Sequence, residues 1–214
     1  MMNICANCGQ YRPDKLIEPE GPYAVCPECG HRQRFRQLPL LIVSGASGAG
    51  KSTVCQQLTG ALDSAVLLDS DILWRAEFNE PDDNYRGFFE TWLRMAKNIS
   101  QSGRPVVIFG AGMGMPENLE PCVERRYFSA VHYQALVCSE ASLTQRLQSR
   151  PAWRGSGEAA FVDAQLSFNN WFKSRGAEVR PVIDLIDTTE TSDQETTRQV
   201  RAWIERVIEA SGGR

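Results

Sequence analysis

The segment Gly45-Ala-Ser-Gly-Ala-Gly-Lys-Ser52 constrains the fold more than any other stretch of this 214-residue chain. It matches the pattern G-x-x-x-x-G-K-[ST] at every fixed position, and a short, mostly apolar run over residues 38–44 precedes it. That run is typical of a buried parallel strand, and residues 53–60 have the character of the first turns of a helix. In such a unit, backbone N–H groups and the positive end of the helix dipole approach a phosphate chain. The sequence therefore predicts a loop that binds a nucleoside triphosphate.

Two side chains of this phosphate loop have predicted roles. Lys51 reaches the β- and γ-phosphates, and the Ser52 hydroxyl holds Mg²⁺. A glycine-rich loop that fits the pattern by chance is the alternative, and the strand–loop–helix context argues against it. We therefore expect ATP and Mg²⁺ as cofactors. The predicted nucleotide-binding residues of the loop are Gly45, Ala46, Ser47, Gly48, Ala49, Gly50, Lys51, Ser52 and Thr53.

Composition and charge limit the class of protein. A 214-residue chain with 42% hydrophobic residues suits one moderate α/β domain with a small appendage. Its formal net charge of −3 lacks the overall positive charge that is typical of nucleic-acid-binding proteins. No apolar run approaches the roughly 18 residues of a membrane helix, and the first residues lack the pattern of a signal peptide. We therefore expect a cytoplasmic protein without a membrane partner, whose cysteines do not form a disulfide framework.

Two C-x-x-C pairs lie near the N-terminus. They comprise Cys5, Cys8, Cys26 and Cys29. Their spacing, C-x2-C-x17-C-x2-C, falls within the range of a four-thiolate zinc site, and a glycine after each pair permits the required tight turn. A redox dithiol is the alternative, but two matched pairs favour zinc. Because four thiolates complete a tetrahedral shell, the predicted Zn²⁺ is structural.

Residues 1–36 are too few for a hydrophobic core of their own, so bound metal has to supply their stability. Turn-forming residues between the cysteine pairs predict a hairpin-like excursion over residues 11–25, and the segment resembles a zinc ribbon. A small basic cluster follows, formed by Arg32, Arg34 and Arg36. It is either a solvated linker face, which we favour, or a contact for RNA or DNA. We predict a zinc ribbon over residues 1–36 and a second domain over residues 37–214.

From residue 38 onward, strand patterns alternate with helical patterns. This alternation predicts a three-layer α/β architecture, with a five-stranded parallel sheet covered by helices on both faces. Ser192 and Glu195 form a capping box for the last helix. The predicted strands are 38–44, 65–68, 105–109, 133–138 and 181–186, and the helices after the loop helix are 72–78, 84–101, 117–126, 142–149, 158–173 and about 192–209.

Ligands of parallel sheets bind at the carboxyl ends of the strands. Asp69-Ser-Asp71 follows the second strand there, where one carboxylate can face the water shell of the metal and the other a substrate hydroxyl. A helix N-cap is the alternative role of Asp71. Gly110-Ala-Gly-Met-Gly114 follows the third strand and either offers N–H groups to a substrate or forms an ordinary turn. This third strand lacks an acidic residue at its end, which argues against a motor-type or GTPase-type ATPase.

A set of arginines follows the fourth strand. Arg146 and Arg150 are four residues apart on one predicted helix face, and Arg154 lies in the Pro/Gly-rich segment after them. The composition of residues 149–158 is typical of a mobile lid. Lid arginines can neutralise charge on a transferring phosphoryl group and exclude water. Solvated surface arginines are the alternative.

The chain from about residue 38 to residue 210 resembles the P-loop kinases of small molecules and nucleotides, which include nucleoside monophosphate, shikimate and gluconate kinases and the chloramphenicol phosphotransferase group. The residues that carry the resemblance are Gly45 to Ser52, Asp69, Asp71, Gly110 to Gly114, Arg146, Arg150, Arg154 and Asp187 to Thr189. The resemblance implies an ATP-dependent phosphotransferase. In it, Arg146 stacks near adenine, and the loop from Asp187 to Thr191, which includes Thr188, lies beside the adenine ring. Asp71 is the general base for the acceptor proton.

The resemblance leaves the phosphoryl acceptor open between a small molecule and a nucleotide. The predicted catalytic residues are Lys51, Asp69, Asp71, Arg150 and Arg154. The predicted acceptor-binding residues are Asp71, Arg75, Trp92, Gly110 and Gly112, with Arg86 and Arg94 as further candidates for a monophosphate. Trp74 and Trp92 could stack on an aromatic substrate, although core packing is the favoured role of each.

Two other functions stay open at this point. In one, the zinc ribbon and its basic cluster hold RNA or DNA, and the core phosphorylates or senses it. In the other, the ribbon is an assembly element and the chain is a homodimer, so the oligomeric state stays open between monomer and homodimer. We favour a purely structural role for the ribbon.

Overall fold

The computed structural model describes residues 2–75, 77 and 83–212. The described residues form a small antiparallel sheet and a larger parallel one. The small sheet contains β1 (Leu16–Glu18), β2 (Tyr23–Val25) and β3 (Arg32–Arg34). The large sheet contains β4 (Leu40–Gly45), β5 (Val66–Asp69), β6 (Val106–Phe109), β7 (Val131–Val137) and β8 (Ile183–Asp187). The α-helices are α1 (Lys51–Leu58), α2 (Arg86–Ser100), α3 (Pro116–Leu119), α4 (Glu140–Gln148), α5 (Ala159–Arg175) and α6 (Asp193–Gly212).

The large sheet is parallel throughout, in the order β5-β6-β4-β7-β8. Its central strand, β4, is buried along its whole length, as the continuous apolar run predicted. Alternate residues of β4 face two cores: Ile42 packs with α2 and α5, and Val43 packs with α1 and α6. The predicted three-layer architecture with a five-stranded parallel sheet is therefore confirmed, and the carboxyl ends of all five strands lie along one edge.

The small sheet is compatible with the predicted ribbon, and it packs against the core domain. Asn3 contacts a buried ion pair between Lys97 of α2 and Glu124 of a 3-10 turn over Val123–Tyr127. Phe35 packs edge-on against Tyr127 at a centroid distance of 5.8 Å. The Tyr127 hydroxyl also donates to the carbonyl of Pro13 at 2.7 Å. The ribbon therefore contacts the core through polar and apolar groups that are buried together.

Three predicted segments have a different structure. The basic segment at 31–36 is solvated as predicted, since Arg32 and Arg34 are exposed, but it is not a linker, because Arg32–Arg34 forms a third ribbon strand. The Arg32 guanidinium lies 4.3 Å from the centre of the Tyr23 ring. The predicted helix 117–126 is divided, because Pro121 cannot continue an α-helix. Where the helix 72–78 was predicted to begin, the structure has a 3-10 turn over Ser70–Leu73, which Trp74 follows. Residues 76 and 78 lie outside the described residues.

Within residues 2–75, 77 and 83–212, none of the helices combines the length and the apolar character needed to span a bilayer.

Candidate active site

The phosphate loop connects β4 to α1 at the centre of the sheet edge. Gly45 has φ +134°, and a side chain at this position would overlap the carbonyl oxygen of Leu136 on the neighbouring strand. Gly50 has φ +107° and immediately precedes α1, which begins at Lys51. The glycines at these two positions therefore satisfy backbone requirements of the loop, which explains why the motif fixes them.

Lys51 is held inside the loop. Its Nζ donates to the carbonyl oxygens of Gly45 at 2.6 Å and Ala46 at 3.0 Å. Burial lowers the pKa of Lys51 to about 8, and the negative charges of Asp71 and Asp69 act in the opposite direction. The ammonium group is therefore positioned within the loop, with two carboxylates near enough to influence its proton affinity.

The two aspartates after β5 have different surroundings. The Asp69 carboxylate accepts a hydrogen bond from the backbone N–H of Asp71 at 2.9 Å, so Asp69, and not Asp71, caps the 3-10 turn. The pKa of Asp71 is raised above its ordinary value, first by burial and then by the charge of Asp69. Both carboxylates line the cavity beside the phosphate loop.

Arg146 connects α4 to the loop after β8. Its guanidinium donates to the hydroxyl of Thr188 at 3.0 Å and to the carbonyl oxygen of Thr188 at 2.6 Å. Arg150 and Arg154 lie further along, and Arg154 belongs to a short 3-10 turn over Ala152–Arg154. The pKa of Arg150 is lowered, first by burial and then by the positive charge of Arg154. The structure therefore brings the three arginines to the same cavity.

This cavity has a volume of about 610 Å³ and lies along the carboxyl edge of the sheet. Of the residues predicted from sequence, the lining includes Ser47, Gly48, Ala49, Gly50, Lys51, Ser52, Thr53, Asp69, Asp71, Gly110, Arg146, Arg150, Arg154 and Thr188. The lining also includes Ala111, Ser149 and Thr191, which belong to the predicted glycine segment, the predicted lid and the predicted loop beside adenine. The lining residues that sequence reasoning missed are Val54, Phe109, Asp193 and Thr196. Asp193 and Thr196 carry no motif of their own, but their position shortly after the last strand was a usable signal.

Three residues predicted to bind the acceptor do not line the cavity: Arg75, Trp92 and Gly112. The Trp92 side chain is 0% exposed and packs in the core beneath the sheet, so a stacking role on a substrate is wrong for this residue and core packing explains it. Arg75 is exposed and pairs with Glu77 at 3.2 Å. Packing requires a glycine at position 110, because a side chain there would overlap that of Ser70.

Helix α5 contributes two amide side chains that sequence reasoning did not identify. Asn169 is fully buried, and its side chain forms hydrogen bonds with the backbone N–H of Cys138 at 3.1 Å and the backbone carbonyl of Cys138 at 2.9 Å. Gln165 lies one turn earlier and contacts the backbone of the phosphate loop. An amide pair four residues apart on one helix face was the available signal.

The four N-terminal cysteines form a separate cluster in the ribbon. Their Sγ atoms all lie within 4.8 Å of one another. The Sγ atoms of Cys5 and Cys29 are 3.7 Å apart, and those of Cys8 and Cys26 are 3.8 Å apart. A tetrahedron with metal–sulfur distances of about 2.3 Å has edges of about 3.8 Å. The cluster therefore has the ligand type, number and spacing of a closed four-thiolate metal site.

Solved structures with a similar fold include several kinases. The gluconokinase from Sinorhizobium meliloti 1021 superposes with a TM-score of 0.60 at 18% identity, over 82% of this chain and 96% of that one. The tunicamycin resistance protein of Deinococcus radiodurans gives 0.56 at 17% identity, over 79% and 96%. The shikimate kinase from Acinetobacter baumannii gives 0.51 at 19% identity, over 79% and 94%. These similarities establish a shared fold.

Sequence comparison gives the family. No curated protein sequence matches the chain significantly. A family model described as AAA domain matches residues 40–173, which is more than half of the 214 residues and includes the phosphate loop, both aspartates and the three arginines. The chain therefore belongs to this AAA domain family of P-loop proteins.

Proposed function

We propose that this protein is an ATP-dependent phosphotransferase that moves the γ-phosphoryl group of ATP to a hydroxyl group of a small-molecule or nucleotide acceptor. The observation that carries the proposal is the convergence of Lys51, Asp71 and the arginines on one cavity at the carboxyl edge of the sheet. Phosphoryl transfer requires a phosphate cradle, a base for the acceptor proton and cations for the transferring charge. The cavity contains each of these groups.

Asp71 is the proposed base. A carboxylate with a raised pKa accepts a proton more readily than an ordinary one. As the acceptor oxygen forms its bond to the γ-phosphorus, its proton passes to the Asp71 carboxylate and the bond to ADP breaks. Asp69 holds the turn in place through its cap to the Asp71 N–H.

Three positive side chains serve the phosphates. Lys51 lies within the loop, where a modest movement of Nζ from the two loop carbonyls would bring it to the β- and γ-phosphates. Arg150 and Arg154, in the proposed lid over residues 149–158, stabilise the charge that spreads over the transferring group and help to exclude water. Arg146 and Thr188 form the side of the cavity proposed for the adenine base.

Mg²⁺ fits the same site. The Ser52 hydroxyl and the carboxylates of Asp69 and Asp71 line one cavity, and hydroxyl and carboxylate oxygens are the ligands that Mg²⁺ prefers. When bound there, the ion would neutralise charge on the terminal phosphates. In the ribbon, we propose Zn²⁺ as the structural metal of Cys5, Cys8, Cys26 and Cys29, because four thiolates at tetrahedral spacing favour it.

The nucleic-acid alternative has less support. Arg32 is paired with Glu18 at 2.6 Å across the ribbon sheet, and the chain carries a formal net charge of −3. A protein that neutralises several phosphates requires unpaired cations on one face. We therefore favour a small acceptor.

Release of ADP tests the proposal, measured with purified protein, ATP, Mg²⁺ and a panel of nucleosides, nucleotides, sugars and hydroxy acids. Asp71→Asn should lower turnover at least a hundredfold, since a general base contributes about 10²–10⁴-fold, and should leave ATP affinity nearly unchanged. Lys51→Met should lower turnover and also weaken the binding of ATP. Asp63→Asn, at an exposed position outside the cavity lining, is the matched control. Bound ATP without turnover on any acceptor would count against the proposal.

A further inference from the structure

An aromatic cluster lies beside Asp71, and the proposed reaction does not use it. Trp74 follows Asp71 by three residues, and its backbone N–H donates to the Asp71 carbonyl at 3.0 Å. The indole is 52% exposed, which is unusual for so large an apolar group. Its centroid lies 5.5 Å from the Tyr85 ring, at an interplanar angle of 37°, and 5.5 Å from the Phe88 ring, which it meets edge-on. A largely exposed aromatic residue is therefore attached to the turn that carries the proposed base.

The cluster adjoins the cavity at the segment after β6, although its rings are not part of the lining. Phe88 packs edge-on against Phe89 at 5.6 Å, and the Phe89 ring lies next to Gly112. Gly112 follows Gly110 and Ala111, which line the cavity. The cluster thus extends from the floor after β6 to the turn after β5. Arg146 and Thr188 follow β7 and β8, on the other side of β4, so the aromatic side is the one left for the acceptor.

The backbone conformation at Tyr85 indicates that the surrounding structure fixes the position of its ring. Tyr85 has φ +58°, a left-handed conformation that bulky residues rarely adopt, and the preceding Asn84 has φ +49°. Such conformations persist where the surrounding structure requires them, and they cluster at ligand sites. Here the conformation directs the phenol ring to the indole of Trp74.

The charges on this side disfavour an anionic acceptor. The cations that line the cavity are Lys51, Arg146, Arg150 and Arg154, all of which serve ATP in the proposed reaction. Arg75, next to Trp74, pairs with Glu77 at 3.2 Å. Among the described residues of the lining, a carboxylate or phosphate on the acceptor would therefore meet no cation that is not already engaged by ATP, and it would face the charges of Asp69 and Asp71.

We propose that Trp74 and Tyr85 bind the phosphoryl acceptor, and that this acceptor is an uncharged or cationic alcohol that carries a planar aromatic or heteroaromatic ring. The inference rests on the proposed phosphotransferase function and narrows its substrate class. Stacking on Trp74 places the ring of the acceptor beside Asp71, so that a hydroxyl near that ring loses its proton to the carboxylate as its oxygen takes the phosphoryl group. Anionic hydroxy acids and nucleoside monophosphates do not match this site, because they carry a negative charge.

The experiment compares two sets of acceptors, arylalkanols and neutral nucleosides against hydroxy acids and nucleoside monophosphates. ADP release measures turnover, and calorimetry in the presence of a non-hydrolysable ATP analogue measures acceptor binding without turnover. We expect turnover and binding for members of the neutral aromatic set. Trp74→Ala should raise the KM and Kd of those acceptors at least tenfold without changing the Kd of the analogue, and Trp74→Phe, which keeps a ring, should restore most of the affinity.

The outcomes separate this inference from the function on which it rests. Aromatic binding that is lost in Trp74→Ala, without any turnover, would support the acceptor site and count against phosphotransfer. Turnover of anionic acceptors with a KM that Trp74→Ala leaves unchanged would overturn the inference while upholding phosphotransfer. Failure of every neutral aromatic compound to bind beside the analogue would also overturn it.

Discussion

The side-chain carbonyl of Gln165 accepts a hydrogen bond from the backbone N–H of Ser47 at 2.8 Å. Gln165 belongs to α5, the helix that follows the proposed lid, and Ser47 is the third residue of the phosphate loop. One turn further along α5, Asn169 binds the backbone of Cys138 after β7. Helix α5 is therefore attached to two strand ends of the sheet edge by side-chain amides, and its first turns follow directly from the lid segment.

The first prediction concerns this attachment. Gln165→Leu removes the acceptor and leaves the Ser47 N–H without it, so the loop loses one of its positional constraints. We expect the Kd of ATP to rise about fivefold to tenfold, since a hydrogen bond contributes about 1 kcal/mol net and an unpaired donor costs more. Calorimetric titration with a non-hydrolysable ATP analogue measures this Kd and requires no acceptor.

The matched control for this helix is Ser167→Ala, at an exposed position two residues along α5. The Kd of the ATP analogue for Ser167→Ala should stay within about twofold of the wild-type value, as is usual for surface changes. If Gln165→Leu bound the analogue as tightly as the wild-type protein, the positioning role of Gln165 would be wrong.

The second prediction concerns the pH dependence of turnover. Because the pKa of Asp71 is raised, its carboxylate becomes protonated, and the base is lost, at a higher pH than for an ordinary aspartate. Asp69→Asn removes the neighbouring negative charge and keeps a side-chain oxygen for the Asp71 N–H. The acid limb of kcat/KM should therefore move to lower pH in Asp69→Asn.

A pH–rate profile on one acceptor checks this shift, with Asp63→Asn as the control and circular dichroism at each pH to verify folding. Burial acts on Asp71 in both proteins, so the acid limb should lie at a higher pH than the pKa of a free aspartate in each of them. A limb that stayed in place or moved to higher pH in Asp69→Asn would show that Asp69 does not control the base.

The third prediction concerns the ion pair between Lys97 and Glu124, both of whose side chains are 0% exposed. Glu124→Gln leaves the Lys97 charge buried without its partner carboxylate, so we expect the free energy of unfolding to fall by about 3–5 kcal/mol. Urea denaturation measures this change. Glu205→Gln, which removes the exposed pair with Arg201, should cost less than about 1 kcal/mol. Equal losses in the two variants would mean that the buried pair adds nothing beyond a surface pair.

The fourth prediction concerns the cysteine cluster. Cys8→Ser removes one of four ligands, so bound zinc should fall below one ion per chain by mass spectrometry of the purified protein. The ribbon shares Asn3 and Phe35 with the core interface, and its loss should lower the Tm by roughly 5–10 °C. Cys55→Ser, outside the cluster, should keep both values close to wild type. Full zinc content in Cys8→Ser would contradict a four-cysteine site.

Much of the fold could be predicted because its signals are local. Apolar runs predict the sheet, and the boundaries of β4 to β8 differ from the predicted ones by at most two residues. The helix predicted over 117–126 is interrupted because Pro121 cannot continue an α-helix. The division into residues 1–36 and 37–214 stays a prediction, and the buried contacts of Asn3 show that any such boundary has a substantial interface.

The phosphate loop and the two cysteine pairs were determined by the sequence alone, because the chemistry of each depends on residues a few positions apart. Contacts between distant residues required the tertiary structure: Gln165 and Ser47 are 118 positions apart, and Asn3 and Glu124 are 121 apart. Trp74 and Trp92 looked alike as sequence. Packing of α2 against the sheet buries one in the core and leaves the other exposed beside Asp71, because burial depends on what the fold places around a side chain.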